Sequence, residues 1–425
     1  MTTTNRTAAL LAAGTLTALL AATPAASATP AAAGAPRRDG PVLDGSGECT
    51  FPMKKQIEGT PWPLQRVLLD ELWQDTKGKG VRVAVIDTGV DDVNPQLRAA
   101  VDAKAGKDYL KPDKENPGFG DEKRGKTDGT VDEVGHGTKV AGIIAARPRK
   151  GTGFVGLAPE ATVIPIRQND EKNSGKSDTM ALAIDHAVNK GARVINISQD
   201  TTQPLGPESP MAKAVARAIK ANVVVVASAG NDGMDGALKK TYPAAFPGVL
   251  AVASSDRNNE RAAFSQAGTF LGVAAPGVDI VSTVPGGGQC VDNGTSFSAP
   301  YVAGVAVLLR AKYPEWTAAQ IVARIEQTAV RSVNGRDDYV GWGVVDPVRA
   351  LADAGPGTPP ASPTPDPGPP KPPAPEAARL TLSETPQERS ERLATYALGI
   401  GGVLVAVVAG TAVVIRDSRR RRGVR

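Results

Sequence analysis

Residues 294–304 read Gly-Thr-Ser-Phe-Ser-Ala-Pro-Tyr-Val-Ala-Gly, and the apolar run continues through Val305, Ala306, Val307, Leu308 and Leu309. A Gly-Thr-Ser turn ahead of such a run predicts a buried helix with Ser296 at its N-terminal end. Unpaired backbone N–H groups and the positive end of the helix dipole surround a hydroxyl placed there. That setting suits a nucleophile whose attack creates an oxyanion. Serine is also a common helix cap, so this stretch alone leaves Ser296 open between cap and nucleophile. The decision rests on whether the chain also supplies a base, an acid to orient it and an oxyanion donor.

Outward from this stretch the chain alternates strand-like and helix-like segments. Residues 81–86 are an apolar, β-branched run ending at Asp87-Thr88-Gly89, and Gly135-His136-Gly137-Thr138 opens a helical run over 140–145. Residues 161–166, 194–198, 223–227 and 249–253 read as buried strands, with helices over 179–189 and 210–221. Strands separated by helices imply right-handed crossovers and a mostly parallel sheet covered on both faces, a three-layer α/β fold. Functional groups in such sheets collect where strands end, and Asp87 and Asn231 both follow apolar strands. Residues 103–133 are charged and glycine-rich and read as an exposed loop.

A lone histidine or a lone aspartate after a strand is ordinary. Asp87, His136 and Ser296 together occur in the order acid, base, nucleophile, which is the chain order of subtilisin-type triads. The chemistry needs these types. A serine hydroxyl is a poor nucleophile until an imidazole takes its proton, and a carboxylate fixes the imidazole tautomer and stabilises the imidazolium. The glycines flanking His136 allow the sharp turn or close approach that exposes its ring.

Three segments carry a specific resemblance. Val85-Ile86-Asp87-Thr88-Gly89-Val90-Asp91, Gly135-His136-Gly137-Thr138-Lys139-Val140-Ala141-Gly142 and Gly294-Thr295-Ser296-Phe297-Ser298-Ala299-Pro300 resemble the signatures of subtilisin-like serine peptidases. Ala227-Ser228-Ala229-Gly230-Asn231 resembles the oxyanion segment of that family. The likeness covers residues 60–354 and implies a subtilisin-like fold and peptide-bond hydrolysis through an acyl-enzyme. It further implies that the Asn231 amide and the Ser296 backbone N–H receive the oxyanion, with Ser198 and Gly230 lining the substrate cleft. Two departures stand out. Lys139 replaces a histidine common in the family, and Gln199-Asp200 replaces an apolar residue and glycine after Asn196-Ile197-Ser198. Asp200 reads either as a selector for a basic substrate side chain or as a plain loop carboxylate.

The ends of the chain place the peptidase. Residues 1–28 have an early Arg6, an apolar stretch and Ala26-Ser27-Ala28, a secretory signal pattern. Residues 29–59 form an N-terminal extension. Residues 355–392 form a linker whose first part holds eleven prolines between Pro356 and Pro375. Residues 393–415 are uncharged and at helical rise span roughly 34 Å, enough for a bilayer core. The tail 416–425 holds six arginines against one aspartate, which predicts a cytoplasmic C-terminus and an extracytoplasmic body. This layout resembles the mycosins, membrane-anchored peptidases associated with type VII secretion. It implies a secretion membrane complex as partner and protein or peptide substrates. A structural clamp of that complex with secondary proteolysis, and a general cell-surface degradative subtilase, are the alternatives.

Composition excludes other classes. Of the net charge of +5 over 425 residues, the final ten residues supply +5, so the remainder is neutral and offers no nucleic-acid surface. Two cysteines, Cys49 and Cys290, exclude a cysteine zinc cluster, and in an exported protein they are expected to pair. Two histidines argue against a multi-histidine metal site, and His186 reads as structural. The chemistry requires no cofactor. Structural calcium has no ordered ligand spacing to support it, the acidic 113–133 stretch being a weak candidate.

Overall fold

The Pro61-Trp62-Pro63 turn starts α1 (Trp62–Gln65), which leads through α2 (Leu69–Leu72) into the first strand, β1 (Arg82–Asp87). A computed structural model describes residues 49, 52–53, 56–110, 126–170, 175–353, 362–366 and 383–422. The signal segment 1–28, most of the extension, residues 111–125 and most of the linker lie outside the described residues. The chain divides into two compact units, residues 1–365 and 366–425.

The first unit continues with β2 (Lys107–Asp108), α3 (His136–Ala145), β3 (Thr162–Arg167), α4 (Ser177–Asn189), β4 (Val194–Ile197) and α5 (Pro210–Lys220). It ends with β5 (Val224–Ser228), β6 (Leu250–Ser255), β7 (Leu271–Pro276), the hairpin β8 (Ile280–Thr283) and β9 (Gln289–Asp292), α6 (Thr295–Lys312), α7 (Ala318–Thr328) and α8 (Pro347–Leu351). Strands β1 to β7 form one parallel sheet in the order β2-β3-β1-β4-β5-β6-β7, and β8 and β9 pair antiparallel.

Both faces of the sheet are covered, which is why its strands read as unbroken apolar runs. Val83 and Val85 of β1 point into a core shared with α3 and α6. Ala84 and Ile86 point into a second core shared with α4 and α5. From β1 the chain runs first to β2 and β3 on one side, then returns to place β4 on the other. That reversal opens a crevice at the carboxyl ends of β1 and β4, where α/β folds hold their sites. Asp87 closes β1, Ser198 follows β4, and Asn231 follows β5 by three residues.

Two readings of the sequence need correction. Residues 103–133 are not all exposed loop: Lys107–Asp108 pairs with β3 as an edge strand, and Ala105, Thr130 and Asp132 are buried. Their charge counts misled because Asp132 spends its carboxylate on internal donors. The polar end of the expected linker, from Pro386 to Arg392, is helical and opens α9 (Pro386–Arg422). A capping box explains the start: Thr385 Oγ1 accepts from the Glu388 N–H at 3.2 Å, and Glu388 Oε2 accepts from the Thr385 N–H at 2.9 Å. Within its own unit α9 exposes Leu398, Val403, Leu404 and Val405, and it is long and apolar enough to cross a membrane.

Candidate active site

Asp87, at the end of β1, is fully buried, and its Oδ1 lies 2.7 Å from His136 Nδ1. The Thr88 N–H also donates to Oδ1, at 2.8 Å. His136 is the first residue of α3, and its ring is partly open to solvent. Gly137 makes this approach possible, because a Cβ there would collide with the Gly89 carbonyl oxygen. Burial on its own would lower the imidazolium pKa. The charge and hydrogen bond of Asp87 outweigh it, Asp132 adds to them and Lys139 opposes, so the net shift is upward.

Beneath this pair sits Asp132. Its Oδ1 accepts from Thr88 Oγ1 and the Gly135 N–H, both at 2.8 Å. Its Oδ2 accepts from the Thr138 N–H at 2.8 Å and from Thr138 Oγ1 at 2.5 Å. Thr88 Oγ1 in turn accepts from the Gly137 N–H at 2.9 Å. One buried carboxylate thus joins the turn after Asp87 to the first turn of α3. Burial holds its carboxyl above the ordinary aspartate range, and the four hydrogen bonds to Thr88, Gly135 and Thr138 offset only part of that rise. Sequence reading passed over Asp132; an acid three residues ahead of Gly135 at a helix start was the available signal.

Ser296 lies in the first turn of α6, where no helical carbonyl is available to its N–H. The ring of the next residue, Phe297, has its centroid 5.5 Å from that of His136. The Ser296 hydroxyl donates to the Ser198 carbonyl at 3.1 Å, and Ser198 Oγ donates back to the Ser296 carbonyl at 2.9 Å. Pro300 explains the second bond. It lies four residues on and has no N–H, so the helix leaves the Ser296 carbonyl for Ser198 to claim.

Asn231 Oδ1 accepts from the Thr295 N–H at 2.9 Å and from Thr295 Oγ1 at 3.0 Å. With the oxygen engaged, the amide NH₂ is the end free to donate, beside the N-terminus of α6. Gly230, at φ +98°, supplies the left-handed turn that brings Asn231 there. Asp200 stands against Gly230. Asp200 is exposed, yet desolvation by the neighbouring protein and then the Asp232 charge push its carboxyl up to about 6.

Lys139 is buried, and its Nζ donates to Asp292 Oδ2 at 2.8 Å. Ser282 Oγ donates to the Lys139 carbonyl at 2.6 Å, and Thr283 Oγ1 to that of Thr138 at 2.9 Å, so β8 is sewn onto α3. Cys49 and Cys290 form a disulfide with Cα atoms 6.0 Å apart, tying the N-terminal extension to β9. His186 Nε2 lies 2.8 Å from the Ala105 carbonyl, and its ring meets that of Tyr109 edge-on with centroids 5.9 Å apart. Among the described residues no group of three or more His, Cys, Asp or Glu could hold a metal ion.

Fold and site together define a subtilisin-like serine peptidase. The profile of the Subtilase family matches residues 78–343, and the chain belongs to that family. Subtilisin E of Bacillus subtilis is 37% identical over 297 residues, covering 69% of this chain and 72% of its own. Mycosin-4 of Mycobacterium tuberculosis is 37% identical over 324 residues, covering 67% of each. Among solved structures, the MycP3 protease from the type VII (ESX-3) secretion system superposes with a TM-score of 0.60 at 33% identity, covering 70% of this chain and 90% of that one. A chain in the structure of an intact ESX-5 inner membrane complex superposes with a TM-score of 0.60 at 31% identity, covering 84% and 92%. The chain is a serine endopeptidase of the subtilisin and mycosin kind.

Proposed function

We propose that Asp87, His136 and Ser296 hydrolyse peptide bonds through an acyl-enzyme, with Asn231 as an oxyanion donor. The observation that carries this reading is the 2.7 Å contact between His136 Nδ1 and the buried Asp87 carboxylate, beside the helix start that bears Ser296. The contact holds the imidazole with Nε2 unprotonated and available as a base. A rotation about the Ser296 side chain, from the Ser198 carbonyl toward the ring, readies the hydroxyl. His136 takes the hydroxyl proton as Ser296 Oγ bonds to the substrate carbonyl carbon. The carbonyl oxygen becomes an oxyanion that the Asn231 amide and the Ser296 N–H receive. His136 then protonates the departing amine. Water, deprotonated by the same ring, cleaves the ester and returns Ser296. Cleavage of a peptide library by the full-length chain and by Ser296→Ala tests this: the variant is expected to cut nothing, and full activity in it refutes the assignment.

In the same reading α9 anchors the chain in a membrane, with the peptidase unit extracytoplasmic and the arginine-rich end cytoplasmic. Its length, its exposed apolar side chains and Arg416 and Arg419–Arg422 support this. The likeness to MycP3 and to a chain of the ESX-5 complex supports a place in a type VII secretion membrane complex, processing its substrates. That second likeness also favours a structural role, in which the folded body clamps the complex and proteolysis is secondary. Ser296→Ala in a deletion strain separates the two: restored secretion favours the clamp, lost secretion the catalytic role.

A further inference from the structure

We propose that Asp200 makes the cleft select substrates with a positively charged side chain, lysine or arginine, on the residue whose carbonyl Ser296 attacks. The proposal rests on the peptidase reading of Ser296 and Asn231 and names the substrate class of that site.

The Ser198 carbonyl meets the Ser296 hydroxyl at 3.1 Å, so the backbone leaving β4 borders the nucleophile, and Asp200 is two residues along it. The facing wall is Gly230, which immediately precedes Asn231. A Cβ built on Gly230 would lie 2.9 Å from Asp200 Oδ2 and 3.0 Å from Thr241 Cγ2. The carboxylate therefore borders the side-chain space that Gly230 leaves open. Thr241, itself buried, is fixed by donating to the Ala229 carbonyl at 2.8 Å. Paired backbone bonds between Thr201 and Tyr242, at 3.0 and 2.9 Å, hold the two segments at this spacing. A substrate residue with its carbonyl carbon at Ser296 Oγ and its oxygen toward Asn231 has its Cα between these walls. Its side chain enters the gap that Asp200 edges.

The electrostatics say what enters. Among the described residues nothing donates a hydrogen bond to the Asp200 carboxylate or pairs with it, and the charge that acts on it is Asp232, of the same sign. An exposed carboxylate beside a like charge, with no cation paired to it among the described residues, gains from a cationic side chain. An apolar side chain in the same place removes water from it and returns nothing.

The test uses the full-length chain in detergent and fluorogenic peptides that differ only in the residue before the scissile bond: arginine, lysine, norleucine, alanine or glutamate. Wild type, Asp200→Asn, Asp200→Gly and Ser296→Ala are compared, with fluorophosphonate labelling of Ser296 as the check on folding. Arginine and lysine peptides are expected to exceed norleucine in kcat/KM by roughly ten- to a hundredfold, a margin that Asp200→Asn removes without changing side-chain size. Cleavage without a basic preference, or a preference unchanged in both Asp200 variants, overturns the proposal and leaves the peptidase reading intact. No Ser296-dependent cleavage of any peptide, with Ser296 unlabelled, overturns both.

Discussion

Ser198 and Ser296 hold each other by two reciprocal hydrogen bonds, hydroxyl to carbonyl in each direction, at 2.9 and 3.1 Å. The end of β4 is thereby fastened to the first turn of α6, and Pro300 leaves the Ser296 carbonyl dependent on that fastening. Ser198→Ala removes the only side-chain donor to this carbonyl among the described residues. The expected cost is about 1–3 kcal/mol, that of an unsatisfied acceptor. Pro300→Ala in the same chain restores a helical N–H and should recover part of the loss. Thermal unfolding of the two single variants and the double variant checks this; strictly additive losses would contradict it.

Lys139 and Asp292 form the second fastening, between α3 and β9. Lys139→Met keeps the bulk of the buried stem and removes the charge. Asp292 is half-exposed and regains water, so stability should fall by only about 1 kcal/mol. The pH profile should move more clearly. In the proposed mechanism His136 acts as a base only when neutral, so activity should rise with pH through its pKa, which already lies above the ordinary histidine value. Lys139 opposes that elevation, so its loss raises the pKa further and shifts the limb of kcat/KM to higher pH. A shift to lower pH would show that the sign is wrong.

Asp132→Ala strips an acceptor from Thr88, Gly135 and Thr138 at once. Loss of about 2–4 kcal/mol is expected, because several buried donors are left unpaired. Turnover should fall as well, since the turn after Asp87 and the start of α3 lose their common tie. A variant with wild-type Tm and kcat would show that this carboxylate positions nothing.

The Cys49–Cys290 bridge closes a loop with a sequence separation of 241 residues. The chain-entropy model sets a ceiling of about 5 kcal/mol for such a loop, with measured values usually lower. Cys49→Ser, paired with Cys290→Ser to avoid a stray thiol, should lower Tm by several degrees. Unchanged Tm in the double variant would contradict the expected stabilisation, and two free thiols in non-reducing peptide mapping of the wild type would rule the bridge out.

Under the proposed role, Asn231→Ala should lower kcat by about 10²–10³ with little change in KM, the magnitude known for loss of the oxyanion-hole asparagine in subtilisin. A larger effect on KM than on kcat would place Asn231 in ground-state binding.

The strands of the central sheet were legible because both faces are buried, which leaves runs such as Val83–Ile86 without polar interruption. Strand β7 was not, since Leu271-Gly-Val-Ala-Ala-Pro276 carries a single β-branched residue. Nor was β9, Gln289-Cys-Val-Asp292, whose polar residues are spent on Gln96 and Lys139. Helix α7 announces itself by a capping box at Thr317 and Gln320 that is visible once sought. At the site, Asp87, His136, Asn231 and Ser296 were legible as residues in order. The contacts that hold them were not. Lys139 and Asp292 are 153 positions apart, and Ser198 and Ser296 are 98 apart. Pairings at that separation are decided by the fold and leave no local pattern.

The central claim is that Ser296 is a nucleophile activated by His136. The most direct measurement is to treat the full-length chain with a fluorophosphonate and locate the adduct by mass spectrometry. A single adduct on Ser296, lost in His136→Ala while Tm is kept, is the predicted result. No adduct on folded wild type, or equal labelling of Ser296 without His136, would contradict it.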